Sequence, residues 1–455
     1  MAEVKKDKRS WYRLDNAALI FPASLRKNWS NAFRISFSFI DPVDPAILQE
    51  AAEALRKRFP SVFVRLERSM FWYYLQEIEE TPKVREDTYQ PLVRMDRESI
   101  SQCAIRVLYY RERMAVEFFH SVTDGTGGLI FAKNLAAEYV RRRYKVDVPN
   151  ECGLKDLSQP PTEEELEDSF QKNAGAVSAP RDDLNVYRYK GTPEAVPYLH
   201  VTCGVMDAEA VHQRAKSMGV TITAFLTAVL IQCLLDMQAE EVPRRRKRKM
   251  IKVQIPVNLR QLYHSETMRN FVAVANVGVD PRMGEYTFEE LAKIVYHQMQ
   301  LLITAKNMSA IFRPNVVSER NALIRIVPLF MKNIIMRIVF DAVGENVSCL
   351  SISNLGNVKV PEAMAPYLTR AEFVLGPQST APYNCSASSI NGRMFVNIVR
   401  NTEEPELERR VFTKLVQMGF HVKIESNGGP TPHPLLERIH EEQGETARSG
   451  EAGNS

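Results

Sequence analysis

Residues 114–128, MAVEFFHSVTDGTGG, form an apolar run that stops at a histidine and then turns into glycines. The residues of one face recur at the period of two that is typical of a strand: Met114, Val116, Phe118 and His120. Gly127 and Gly128 then allow a tight bend before apolar residues at helical spacing. The stretch predicts a buried strand that brings an imidazole to a loop ahead of a helix.

The same stretch contains the spacing His120-x-x-x-Asp124-Gly125. A neutral imidazole, with a pKa near ~6.5, can take a proton from a hydroxyl, amine or thiol, as the general base of acyl transfer must. No Gly-x-Ser-x-Gly sequence occurs in the chain, so a serine nucleophile has no motif. Asp124 can orient the imidazole, pair with a distant arginine, or cap the helix beside an ordinary strand-end histidine. The spacing alone leaves these readings open.

The overall composition excludes several classes of protein. The chain has 455 residues, of which 45% are hydrophobic, enough for two domains or two similar halves. A net charge of +4 is too small to predict nucleic-acid binding. The basic run at residues 244–249 could bind an anionic cofactor, a membrane or RNA, or it could be a solvated loop.

The cysteines and histidines give no sign of a metal site or an exported protein. Six cysteines lie scattered without Cys-x-x-Cys spacing, and no His-Glu-x-x-His sequence occurs, so we expect no metal. Free thiols in apolar runs indicate a reducing compartment. The polar N-terminus lacks the apolar core of a signal peptide, and we therefore expect a cytoplasmic protein.

Strands and helices alternate irregularly along the chain, and some strands form hairpins, which predicts an α/β sandwich with mixed sheets. The predicted parts are an N-terminal half at residues 1–150, a linker or surface excursion at 151–196, a C-terminal half at 197–424 and a disordered tail at 425–455. Residues 222–237, preceded by Thr221 as a cap, predict a helix that is apolar nearly all round and therefore buried.

A second motif, Val-Asn-x-Arg at residues 257–260, follows a predicted strand. Together with the histidine motif it resembles the CoA-dependent acyltransferase superfamily, over roughly residues 12–420. That superfamily includes chloramphenicol acetyltransferase, plant BAHD acyltransferases, alcohol acetyltransferases, wax ester synthases and peptide-synthetase condensation domains. The resemblance implies an α/β fold of two chloramphenicol-acetyltransferase-like subdomains with the active-site channel between them.

The resemblance also implies roles for individual residues. His120 would be the general base, and Asp124 would turn away from it to pair with Arg260, beside Gly125 and Asn258. Residues 349–356, CLSISNLG, look like a strand and polar turn at the crossing between halves, where Ser353 or Asn354 could hold the oxyanion or could simply form a turn. We further expect a polar face containing Ser386 to line the channel.

Departures from the superfamily narrow the expected activity. Phe119 replaces the first of two consecutive histidines found in many members, and the Asp-Phe-Gly-Trp-Gly sequence of BAHD enzymes is absent. Stand-alone alcohol acetyltransferases are the nearest type. The resemblance therefore implies transfer of an acyl group, acetyl above all, from acyl-CoA to an alcohol or amine by a monomer without a bound cofactor. The alternatives are a carrier-protein thioester donor, as in condensation domains, and a non-catalytic ligand-binding protein.

Residues 322–343 are apolar but interrupted by charged residues and Pro328, so they cannot form an uninterrupted membrane span of about twenty residues. They predict either an amphipathic helix that contacts a membrane or a lipid acceptor, or a helix packed on the second half.

Overall fold

A computed structural model of the chain describes residues 10–25, 31–88, 90–178, 186–194, 198–339, 347–376 and 381–428. The strands of this described part are β1 Trp11–Arg13, β2 Ala32–Phe39, β3 Val64–Arg68, β4 Tyr73–Glu77, β5 Arg85–Glu86, β6 Ile105–Tyr110, β7 Arg113–Phe119, β8 His200–Asp207, β9 Ile251–Asn258, β10 Val272–Val279, β11 Leu350–Asn357, β12 Leu368–Leu375, β13 Tyr383–Ile390, β14 Arg393–Arg400 and β15 Lys423–Ser426. The helices are α1 Ile20–Ser24, α2 Pro45–Leu55, α3 Arg97–Gln102, α4 Gly125–Tyr144, α5 Glu163–Leu166, α6 Ser169–Asn173, α7 Ala208–Ser217, α8 Ile222–Glu241, α9 Arg260–Tyr263, α10 Phe288–Leu302, α11 Ala305–Arg320, α12 Ala322–Arg325, α13 Leu329–Val339 and α14 Glu406–Gln417.

Two large sheets organise the two halves. The first has the order β12-β2-β7-β6-β5, and the second has the order β10-β9-β11-β13-β14-β8-β15. Most neighbours are antiparallel, but β5 runs parallel to β6, and β11 runs parallel to both β9 and β13. A small third sheet, β1-β4-β3, lies beside the first half. The predicted fold class, two α/β halves with mixed sheets, is confirmed.

Strand β12 comes from the second half of the sequence but completes the sheet of the first. It pairs antiparallel with β2 from Leu368 opposite Phe39 to Leu375 opposite Phe33. Its other side is held by side chains of β13 and β14, which donate to main-chain carbonyls at or just after β12. These side chains are Asn384, Ser386, Ser388 and Asn397. The alternating polar residues of β13 therefore fasten the exchanged strand.

Each half has its own apolar core. In the first, α2 and α4 cover the sheet around Phe118 and Phe131. In the second, α8 lies among α10, α14 and β9, and its predicted cap Thr221 accepts from the N–H of Ala224. Among the described residues, α8 alone is long and apolar enough to cross a membrane, and 67% of that window is buried inside the protein. The predicted burial of this helix, which is apolar on nearly all sides, is therefore observed.

Three segments add detail that the sequence does not predict. Residues 151–196 contain α5 and α6, and the Glu165 carboxylate is buried against Arg58 and Lys155, so the described part of this segment is folded structure. Strand β15 crosses the predicted tail boundary at residue 424, and from residue 429 the tail lies outside the described residues. Helix α13 packs beside α1 and the β3–β4 hairpin of the first half, whereas packing on the second half was one of two expectations.

Candidate active site

His120 directly follows the central strand of the first sheet. Strand β7 pairs with β2 on one side and with β6 on the other, the latter through the predicted hairpin. Every residue of β7 after Arg113 is buried. The His120 N–H donates to the carbonyl of Asn31 at 2.8 Å, which fixes the backbone where the strand ends.

Asp124 uses both carboxylate oxygens, and it does so for two different purposes. Its Oδ1 accepts from the N–H groups of Thr126 and Gly127 at 3.1 and 3.0 Å and thereby caps α4. Its Oδ2 accepts from Arg260 Nη1 at 2.8 Å and from the N–H of Phe271 at 2.7 Å. The helix cap and the ion pair, two of the alternatives open in the sequence, therefore coexist, and the aspartate joins the two halves.

Gly127 permits the close approach of the second half, and Gly128 permits the close approach of Phe33 in the first half. A Cβ on Gly127 would lie 2.5 Å from the main-chain oxygen of Met268. A Cβ on Gly128 would lie 2.8 Å from Cε2 of Phe33. Both distances are shorter than real contacts allow, so the first turn of α4 needs residues without a side chain at these positions.

Arg260 orders the loop between α9 and β10. Its guanidinium donates to the carbonyls of Thr267 and Arg269 at 2.7 and 2.6 Å, besides its bond to Asp124. Asn258 accepts from both the N–H and Nη1 of Arg260, so it aligns the arginine. The predicted residues Asp124, Arg260 and Asn258 thus lie together.

Asn270, at the end of this loop, contacts His120. Its Oδ1 lies 3.2 Å from Nδ1 of His120. The other side of its amide is fixed by Asp15, whose Oδ2 accepts from the Asn270 Nδ2 and main-chain N–H, each at 3.3 Å. With Asp15 ionised, Nδ2 faces the carboxylate and Oδ1 faces the histidine, an arrangement in which His120 carries its proton on Nδ1. The basic lone pair is therefore on Nε2.

Neither Asn270 nor Asp15 emerged from the sequence. The available signal for Asn270 was the β9–β10 pairing, which sets Val272 opposite Asn258 and so brings Asn270 close to the arginine motif. Asp15 lies in an irregular segment where no periodicity or motif marks it.

Aromatic rings enclose the imidazole. Phe21 of α1 stacks on His120 with ring centroids 4.5 Å apart, and Phe33 meets it edge-on at 5.0 Å. Burial lowers the pKa of His120 below its ordinary value, although a hydrogen bond with the main chain of His120 itself, the nearby Asp124 carboxylate and the Asn270 bond act in the opposite direction. The ring is therefore neutral at pH 7, the state that a general base requires.

The two buried aspartates have opposite pKa shifts. For Asp124, burial alone would raise the pKa, but the charge and hydrogen bonds of Arg260 and the N–H of Phe271 reverse this, and the pKa is lowered. For Asp15, burial dominates and raises the pKa to about 7, because Arg269 stands 3.9 Å away and offsets only part of the cost.

Ser353 and Asn354 lie in β11, in place of the predicted polar turn. The irregularity comes at Gly356, which has a φ of +72° and donates its N–H to Asn354 Oδ1. Asn354 Nδ2 is bound to Thr223 Oγ1 at 3.2 Å, and Ser353 is half-buried. An oxyanion role for Ser353 or Asn354 stays a prediction.

Ser386 does not line a channel. It is buried, and its hydroxyl donates to the carbonyl of Phe373 in β12. Gly125, in contrast, is the first residue of α4, with Phe373 and Leu355 around the position that a Cβ would occupy. The sequence identified a polar strand face correctly, but its partner is the exchanged strand.

No group of three or more His, Cys, Asp or Glu side chains in the described part of the chain is placed to hold a metal. All six cysteines are free thiols. In the basic run, Arg245 pairs with the exposed Glu285, and Arg248 donates to the carbonyls of Val242 and Pro243, as in a solvated loop.

Comparison by sequence found no match: no protein-family model matches the chain, and neither does any curated protein. Comparison of structures found clear matches. Polyketide synthase associated protein 5 from Mycobacterium tuberculosis is 16% identical with a TM-score of 0.59, covering 89% of this chain and 97% of that one. TRI101 from F. graminearum, solved with coenzyme A and T-2 mycotoxin, is 9% identical with a TM-score of 0.61, covering 92% and 100%.

A condensation domain of the CDA synthetase is 13% identical with a TM-score of 0.55, and the match covers 89% of this chain and 95% of that domain. The alignments therefore span both halves of the fold. At these identities they establish architecture, and the likeness that the sequence resemblance implied is confirmed at that level. The chain has the two-half, chloramphenicol-acetyltransferase-like fold that CoA-dependent acetyltransferases share with condensation domains.

Proposed function

We propose that this protein is a CoA-dependent acyltransferase that moves an acyl group, acetyl above all, from an acyl-CoA thioester to an alcohol or amine. The observation that carries the proposal is a neutral His120 whose Nδ1 is held by Asn270, which leaves Nε2 as the base. Structural neighbours of the same fold were solved with coenzyme A or ethyl coenzyme A, which supports acyl-CoA as the donor.

In the proposed reaction, Nε2 of His120 removes the proton of the acceptor as its oxygen or nitrogen attacks the thioester carbonyl. The tetrahedral intermediate then collapses, the C–S bond breaks, and the imidazolium returns the proton to the leaving thiolate. The products are an ester or amide and free CoA. Ser353 or Asn354 is the proposed oxyanion donor, and Asp124, Gly125, Asn258 and Arg260 hold the loop geometry.

We further propose that the protein works as a cytoplasmic monomer, with a small-molecule acceptor and no nucleic acid as partner. Two other functions keep the same fold. A carrier-protein thioester could replace acyl-CoA, as the likeness to condensation domains suggests. A non-catalytic protein could hold a ligand between the halves, but this would leave the alignment of His120 by Asn270 without a purpose.

The test is release of free thiol from acetyl-CoA and longer acyl-CoAs in the presence of a panel of alcohols and amines. We expect acceptor-dependent release that His120→Ala lowers by about 10² to 10⁴ without unfolding the protein. His212→Ala, an exposed histidine on α7, is the control and should keep full activity.

Two results would contradict the proposal. Undiminished thiol release by His120→Ala would exclude His120 as the general base. If folded wild-type protein releases no thiol with any pair of acyl-CoA and acceptor, acyl-CoA is excluded as the donor. In the second case, transfer from an acylated carrier protein would support the condensation-type reaction.

A further inference from the structure

Helix α13 has its polarity reversed relative to a helix on the surface of a soluble protein. Its polar residues Lys332 and Asn333 face the protein: Lys332 Nζ donates to the carbonyls of Phe71 and Arg325, and Asn333 Nδ2 donates to Tyr73 Oη. Its outer face carries large apolar side chains at helical spacing, namely Phe330, Met331, Ile334, Ile335 and Ile338, each between 45% and 67% exposed. A helix of this kind normally buries such a face.

The β3–β4 hairpin extends this surface. Its tip is bound to the start of α13, because the Leu329 N–H donates to the carbonyl of Met70 at 2.9 Å. Met70 and Trp72 at the tip are 72% and 46% exposed. Tryptophan is the residue that most favours the boundary between water and a lipid bilayer. Helix and hairpin therefore present one continuous apolar face, here called the α13 face.

The α13 face contains half of the exposed large apolar side chains in the described part of the chain. Of the twenty exposed large apolar side chains in the described part of the chain, ten belong to the hairpin tip, α12, α13 and the turn between the two helices. The ten are Met70, Trp72, Leu323, Ile324, Ile326, Phe330, Met331, Ile334, Ile335 and Ile338. Soluble monomers rarely expose apolar patches larger than a few hundred Å² unless the patch binds something.

The exposed charges on α12 and α13 have one sign. From Ala322 to Val339 the sequence contains Arg325, Lys332 and Arg337 and no acidic residue, and of these Lys332 faces the protein. Arg325 and Arg337 are exposed, one on α12 and one on α13. An apolar surface with basic residues beside it matches the negatively charged surface of a bilayer, where each nearby Lys or Arg contributes about 1 kcal/mol. A second copy of this chain would bring like charges together.

We propose that the α13 face is a membrane-docking surface that inserts its apolar side chains into the interfacial region of a bilayer containing anionic phospholipids. The hairpin tip enters beside the helix, and Arg325 and Arg337 contact the headgroups. The inference goes beyond the proposed acyl transfer and does not depend on it, since it rests only on the exposed surface.

The experiment is sedimentation of the full chain with vesicles of phosphatidylcholine, with and without phosphatidylglycerol. We expect binding that is strong only with phosphatidylglycerol and that weakens as salt is added. The double variant Phe330→Ser, Ile334→Ser should weaken binding at least tenfold, because two inserting side chains are lost. The variant Arg325→Gln, Arg337→Gln should weaken it by roughly fivefold for each arginine.

A matched control variant removes two exposed apolar side chains that lie outside the α13 face. Met283→Ser, Leu301→Ser removes two side chains that are 80% and 77% exposed outside the α13 face, and it should bind vesicles like the wild type. Failure of wild-type protein to sediment with anionic vesicles would overturn the proposal, as would equal binding by the Phe330, Ile334 variant and this control. A wild-type dimer in sedimentation velocity that the same variant dissociates would assign the face to self-association and overturn it too.

Discussion

Asn270 determines which nitrogen of His120 can act as the base. Asp15 accepts a hydrogen bond from Nδ2 of its amide, and the amide Oδ1 contacts Nδ1 of His120. Arg260 orders the loop that contains Asn270. The sequence motif supplied His120, Asp124 and Arg260. The motif does not identify Asn270, because the position of a polar loop residue depends on how the neighbouring strands pair.

Replacing Asn270 should therefore change catalysis more than folding. We expect Asn270→Ala to lower kcat by about tenfold or more with a smaller effect on KM, because the imidazole loses its preferred tautomer. In wild type, the acid limb of kcat/KM that reports His120 should lie below pH 6.5, since the base must be deprotonated and its pKa is lowered.

Asn270→Asp separates positioning from mere structure. It keeps an acceptor beside Nδ1 and adds a carboxyl that also faces Asp15. When this carboxyl is ionised it stabilises the imidazolium, which should move the acid limb of the pH profile to higher pH. Identical limbs in Asn270→Asp and wild type would show that this contact does not act on His120.

Asp124→Asn tests the ion pair separately from the helix cap. Asparagine keeps an oxygen that can cap α4 but leaves the buried Arg260 without its charge partner, so we expect a loss of about 3 to 5 kcal/mol in urea unfolding, together with loss of activity. Asp44→Asn, at the cap of α2, is the control: Asp44 forms no ion pair with the described residues, and the change should cost little. Equal stability of Asp124→Asn and wild type would exclude a stabilising ion pair.

At the scale of elements, the periodic segments were predictable and the connections were not. The β6–β7 hairpin and helices α7 and α8 followed from apolar spacing and from caps at Asp207 and Thr221. The proline and acidic content of residues 151–196 predicts a linker or a surface excursion. Their fold depends instead on tertiary contacts, since the carbonyl of Glu165 accepts from the N–H of Met268 beside the active-site loop.

Glu165 gives this segment a pH-dependent attachment. Burial alone would raise the pKa of its carboxyl, but Arg58 and Lys155 lower it from 4.5 to about 2. A lowered pKa stabilises the folded state above the unfolded value, and this contribution disappears as the pH falls from about 4.5 to about 2. Glu165→Gln should therefore be clearly less stable than wild type at pH 7, with a difference that shrinks below pH 4.5.

The measurement is urea unfolding of both proteins at several pH values. Glu164→Gln, the exposed neighbour, should match wild type throughout. A Glu165→Gln deficit that stays constant down to pH 3 would mean that the carboxylate charge is not the source of the stability.

At the scale of the whole molecule, the two halves are joined by more than a covalent connection. Strand β12, the Asp124–Arg260 pair and the Asp15–Asn270 bonds all cross between them. The composition and the family resemblance predicted two halves. The sequence predicts β12 only as an ordinary strand. Strand exchange could not be predicted, because the residues of β12 do not indicate which sheet the strand joins.

We expect these crossings to make the halves unfold together. Calorimetry at neutral pH should give one transition whose calorimetric and van't Hoff enthalpies agree. Phe373→Pro, which places a proline within β12, should loosen this coupling and separate or broaden the transition. Two resolved transitions in wild type would mean that each half is stable by itself.

The exchanged strand also determines when the sheet of the first half can be completed during translation. Strand β2 ends at Phe39 and its partner β12 begins at Leu368, so about 330 residues must be added before the edge of β2 is covered. At ~5–20 residues per second the ribosome needs roughly 15 to 65 s for this. During that interval the nascent first half presents an unpaired strand edge, which is a template for pairing with other chains. Yield in a foreign host should therefore depend on chaperones that shield the growing polypeptide until its last third has emerged.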